Sequence, residues 1–91
     1  MQTRAIVSVL GDDRVGIVAA VATALSDSGS NIEDIRQSIV GGIFSMTMLI
    51  TIDEEVAPFE DVQAKLNTVG EQLGVQVTLQ REDVFRFMHR I

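Results

Sequence analysis

The chain has no cysteine, no tryptophan and no tyrosine, and it has a single histidine, His89. Without cysteine there is no disulfide framework, no thiolate nucleophile and no zinc site built on cysteine. Four phenylalanines are the only aromatic rings. Proteins that hold single-stranded nucleic acid stack bases on rings set in a basic groove. Here 7 lysines and arginines face 13 aspartates and glutamates, a formal charge of −6. That balance argues against nucleic acid and against an anionic membrane surface. No apolar run approaches the roughly 20 residues of a membrane helix, and no charged segment with a following apolar stretch opens the chain. The expectation is a soluble cytoplasmic protein.

What the chain does have is apolar content, 46% of its 91 residues. That suits one packed domain spanning residues 1–91. A domain of this size buries only about 60–65% of its unfolded surface, and pairing with a copy of itself is one way to gain core.

Thr3 to Leu10 reads as a buried strand. Gly11 to Arg14 breaks it, and from Val15 the period changes. Val18, Val21, Ala22 and Leu25 fall at i, i+3, i+4 and i+7, one face of a helix. Asp13 is a candidate N-cap, and Gly29 suits the helix end. Asn31 to Val40 alternates as a half-buried strand, with Ile35 and Ile39 flanking Gln37. Gly41-Gly42 signals a hairpin turn, and Ile43 to Ile52 runs back with Phe44, Met46, Met48, Ile50 and Ile52 on one face. Pro58 suits the first turn of a second helix, whose stripe is Phe59, Val62, Leu66, Val69 and Leu73 before Gly74. Val75, Val77 and Leu79 make a fourth strand.

The order β-α-β-β-α-β defines a ferredoxin-like α/β sandwich: one antiparallel sheet with two helices on one face. The core is residues 3–82. In the tail, 83–91, Val84, Phe87, Met88 and Ile91 keep helical spacing and Asp83 can cap them, so the segment is expected to pack on something. An apolar sheet face opposite the helices, together with this tail, predicts a homodimer or a larger even assembly.

The inventory for catalysis is thin. There is no G-x-S-x-G elbow. Asp12 and Asp13 are adjacent, and no further carboxylates follow at calcium-loop spacing. No catalytic residue, metal ligand or cofactor is expected. "GDDRVG" (Gly11–Gly16) lacks the lysine of a P-loop and the spacing G-x-G-x-x-G. Two readings of it stand side by side: a strand-to-helix turn that needs glycine, or backbone N–H groups at a helix start that hold a carboxylate. Asn31 likewise reads as a turn residue or as a ligand contact.

"GDDRVGIVAAVATALSDSGSNIEDI" resembles the first half of the ACT domain, whose pattern runs D-R-P-G-[IL] at the helix start and N-I at the next strand. The tail "VFRFMHRI" resembles that of small stand-alone ACT proteins related to glycine-cleavage regulators. The resemblance implies a non-catalytic regulatory domain that binds a small amino acid or related metabolite between subunits and acts on a regulated protein. It implies a ligand site made of Gly11, Asp12, Asp13, Arg14 and Gly16, with Asn31 and Ile32. Val15 stands where the family usually has proline, and Gly11 where some serine-binding relatives place a polar contact. Asp13 suits a ligand's ammonium group rather than its carboxylate. The alternative is a dimerisation and protein-interaction module with no bound ligand, in which Arg86, His89 and Arg90 are free to meet an acidic partner.

Overall fold

The computed structural model describes residues 2–88. Its elements are β1 (Gln2–Asp12), α1 (Ile17–Asp27), β2 (Asn31–Val40), β3 (Ile43–Asp53), α2 (Phe59–Leu73), β4 (Gln76–Arg81) and α3 (Glu82–Met88). The sheet order is β2-β3-β1-β4, with every neighbouring pair antiparallel. This is the expected ferredoxin-like arrangement, with α3 as the short helical tail.

Local chemistry explains the breaks. Gly41 and Gly42 both adopt positive φ, 59° and 81°, the backbone that a two-residue hairpin needs to match strand twist. After α1 the Ser30 N–H donates to the Leu25 carbonyl at 2.9 Å and the Gly29 N–H to that of Ser26 at 3.0 Å, a Schellman close. Pro58 stands one residue ahead of α2, as its N-cap, and has no side chain able to cap. Glu54 fills that role from upstream: its Oε1 accepts from the Phe59 N–H at 3.4 Å.

The core lies between the helices and β1, β3 and β4. Val7, Met48, Ile50, Val21, Leu25 and Leu66 are among its fully buried members. Val15 does not open α1; it sits in the turn before it, fully exposed. The buried face of α1 is Ile17, Val21, Ala24 and Leu25, with Val18 and Ala22 at its margin. This is a small rotation of the expected stripe. In α2 the small Gly70 is buried while Val69 and Leu73 are only partly so. A Cβ on Gly70 would stand 2.9 Å from the Val75 carbonyl oxygen, so the helix comes closest to β4 at that point.

Two expectations about exposed apolar surface are met in part. The sheet face away from the helices is mixed, with Ile6, Leu10, Val40, Ile43 and Leu49 set among hydroxyl-bearing and charged side chains. Register aligns Arg36, Thr47, Ser8 and Thr78 in one row across all four strands, and Ser38, Ser45, Leu10 and Gln76 in the next. A second set of exposed apolar side chains lies on the helix side of β2. Ile32, Ile35 and Ile39 pair with Ile50, Met48 and Phe44 on the helix side, yet they are 36%, 39% and 58% exposed, because the helices do not reach over β2. The tail helix α3 lies on the β1–β4 half of the far face, with Arg4 paired to Glu82 at 3.3 Å. Its stripe of Val84, Phe87 and Met88 is exposed, while Phe85 is half-buried. No residue of α3 is fully buried, though the Gln80 amide donates to Met88 Sδ at 3.3 Å. Asp83 lies inside the first turn, where its carboxylate accepts from the Val84 N–H at 2.9 Å. Ile91, His89 and Arg90 lie outside the described residues. Among the described residues no helix is long and apolar enough to cross a membrane.

Glu54 ties three elements together. It accepts from the Thr3 hydroxyl and from the Phe59 N–H and lies 4.0 Å from Arg81, whose guanidinium sits 4.3 Å above the Phe59 ring. The Thr3 and Phe59 hydrogen bonds, then the Arg81 charge, hold its carboxyl below the usual carboxylate range. A lowered folded-state pKa gives stability that is present above the unfolded value, about 4.3, and lost as pH falls through the folded one. Glu54→Gln should therefore melt below wild type at neutral pH, and the gap should close on acidification. A pH series of thermal melts checks this; a gap that persists unchanged at low pH would assign the effect to packing.

Candidate ligand-binding site

The loop is built by constraints at both ends. Gly11 lies opposite Phe44, and a Cβ there would stand 2.8 Å from Val75 Cγ1. Glycine lets β1 pass under the residue that precedes β4. Asp12 closes β1 opposite Ile43, on the face away from the helices, and is exposed. The Asp13 N–H donates to the Gly42 carbonyl at 2.9 Å and pins the loop to the β2–β3 turn.

Asp13 does not cap α1. The N-cap is Gly16, at φ 93°, with no side-chain hydrogen bond. Side chains other than glycine rarely adopt that left-handed backbone, and Asp13 lies three residues upstream of the cap. The first-turn N–H groups of α1 therefore have no side-chain acceptor, and they form the positive end of the helix dipole. Arg14, the one cation of the loop, is engaged elsewhere. Its Nη1 donates to the Leu73 carbonyl at 2.5 Å, at the negative end of α2. The guanidinium thus works as a strut between the loop and α2.

Asn31 and Ile32 are at the other end of the sheet. Asn31 opens β2 opposite Thr51, and Val40 closes it opposite Ile43, next to the loop. Ten residues at about 3.3 Å each separate those ends by about 30 Å. One chain thus gathers Gly11, Asp12, Asp13, Arg14 and Gly16 and does not bring Asn31 and Ile32 to them.

Glu33 is a site residue that the sequence pattern does not single out. It is the extra residue of a bulge between Ile32 and Asp34. Its Oε2 accepts from Asn31 Nδ2 at 2.8 Å and from Thr51 Oγ1 at 3.0 Å. Those two hydrogen bonds, in that order, hold its carboxyl below the usual range, with a smaller pull from Arg4. A signal existed: Ile32 and Ile35 face the same side although they are three apart, which strict alternation forbids. Among the described residues no group of three or more His, Cys, Asp or Glu side chains is placed to hold a metal ion.

A βαββαβ sandwich with a glycine-bounded loop at the start of α1 and an asparagine opening β2 defines a regulatory domain of the ACT type. The ACT domain family matches residues 3–80, and the chain belongs to that family, whose members are regulatory modules that typically bind small molecules. It is 45% identical over 89 residues to a UPF0237 protein of Methanocaldococcus jannaschii, covering 98% of this chain and 99% of the relative. Among solved structures it is similar to an ACT domain protein from Streptococcus pneumoniae, with a TM-score of 0.78 and 30% identity over 91% of this chain and 93% of that one. It also matches a protein assigned as a glycine cleavage system transcriptional repressor. That likeness has a TM-score of 0.80 and 26% identity, and covers 89% of this chain and 46% of the other.

Arg14→Met should free the loop from α2 while keeping most of the side chain's bulk. The expected stability loss is about 1 kcal/mol, a charged hydrogen bond discounted for exposure. Amide exchange should quicken across residues 12–16. Unchanged exchange there would show that the loop holds without the strut.

Proposed function

We propose that this chain is a non-catalytic regulatory module that senses a small amino acid or related metabolite, as a homodimer whose site forms across two copies. The observation that carries this reading is the separation of the Gly11–Gly16 loop from Asn31 along a bare edge strand. All ten residues of β2 are exposed. Exposed edges invite pairing, and a two-fold contact joins like surfaces. Pairing β2 antiparallel to its own copy carries the partner's Asn31 to the Val40 end, where the loop is tied to Gly42.

The side chains of β2 support that contact. Centring the pair on Ile35 sets Asp34 opposite the partner's Arg36 and repeats the match across the axis. It also brings the exposed isoleucines of both copies together on the helix side. In the assembled site the uncapped N–H groups of α1 take a ligand's carboxylate, and Asp13 meets its ammonium group. Gly16 allows close backbone approach, and Ile32 gives an apolar wall. The exposed stripe of α3 is left to meet a second copy or a regulated protein.

Light scattering at micromolar concentration should give a dimeric mass or an even multiple of it, and Ile35→Lys should yield a folded monomer. A monomeric wild type would remove the shared site. In a thermal-shift screen, an amino acid at 100 times its dissociation constant should stabilise by about 2.7 kcal/mol. Asn31→Ala should weaken that ligand at least about tenfold, or 1.4 kcal/mol. A dimer that no amino acid stabilises would favour the ligand-free interaction module.

A further inference from the structure

We infer that Glu33 orients the side chain of Asn31, so that the site presents an acceptor there and selects a ligand carrying an ammonium group over the matching hydroxy acid. This rests on the shared site proposed above. A carboxylate only accepts hydrogen bonds, so the amide nitrogen of Asn31 must face Glu33, and Nδ2 does so at 2.8 Å. Thr51 Oγ1 holds the same carboxylate oxygen at 3.0 Å. The carboxamide is planar, so fixing its NH2 toward Glu33 turns Oδ1 away from it. Among the described residues no hydrogen bond occupies that oxygen.

The bulge supplies the geometry. As the extra residue, Glu33 has no partner on β3 and reaches back to Asn31 and Thr51. Free to turn, an asparagine amide offers its NH2 or its carbonyl to a ligand equally. Held by Glu33, it offers the carbonyl. An ammonium group, with three donors and no acceptor, satisfies that oxygen, whereas a hydroxyl, a weaker neutral donor, satisfies it less well. Glu33 is therefore a positioning residue, acting through Asn31.

Calorimetry on the full chain tests this, with the protein amino acids as probes, each matched to the 2-hydroxy acid of the same side chain. For the amino acid that binds wild type, preference over its hydroxy acid should be at least about tenfold, and it should fall by at least about threefold in Glu33→Gln, the remainder resting on Asp13. The glutamine side chain can donate or accept, so the Asn31 amide is released while the fold stays, as an unchanged melting temperature should confirm. A merely structural role would weaken both ligands alike and leave their ratio. A ratio unchanged in Glu33→Gln, with Asn31→Ala still weakening the amino acid, overturns the role of Glu33 and leaves the shared site standing. Failure of every amino acid to bind wild type overturns both.

Discussion

Two helices cannot cover four strands. That limit governs this molecule: α1 and α2 seal β1, β3 and β4 and leave all of β2 bare. β3 shows what coverage does. Phe44, Met46, Met48, Ile50 and Ile52 are buried in unbroken alternation, while their partners on β2, one strand further out, stay open to solvent. Isoleucines left 36–58% exposed in such a place have transfer energy still to gain when something else arrives. The sheet edge, its apolar side chains and the separated halves of the candidate site all follow from this shortfall.

The loop after β1 is held by three unlike contacts. The Asp13 N–H bonds the hairpin turn, Arg14 bonds the end of α2, and Gly11 lies against Val75. The loop is thus tied to β2–β3 on one side and to α2 and β4 on the other. By motif its charged side chains face a ligand; in the structure one of them faces the protein. Arginine suits the strut because its several donors let one nitrogen serve α2 while others stay free.

Most of the fold is legible in the residue pattern because two periods alternate cleanly along the chain. Strand alternation in Ile43–Ile52 and helical spacing in Phe59–Leu73 both arise from one buried face. The misreadings cluster where a residue type serves two purposes. Asp13 suits a cap by composition, yet the cap falls to Gly16 because the backbone there needs positive φ. Pro58 suits the first turn and stands just ahead of it, with its capping role taken by Glu54 from outside the helix. The far sheet face, expected to be apolar, is so only in part, since Ser8, Ser45, Thr47 and Thr78 share it with Leu10, Val40 and Ile43. Gly11–Gly16 can be found because the loop is contiguous. Glu33 leaves only the three-residue spacing of Ile32 and Ile35 as a sign, because its part depends on a one-residue slip in register that moves no motif.

The two sheet edges differ, and the difference bears on how far an assembly can grow. β4 is six residues long, and the Gln63 amide donates to its Leu79 carbonyl at 3.3 Å, which occupies an outward-facing acceptor. β2 is long and open. A contact between two β2 strands consumes the open edge of both copies and leaves the two short β4 edges outside. Such a sheet offers a third chain only short edges with an acceptor already taken, so geometry as well as charge limits its growth.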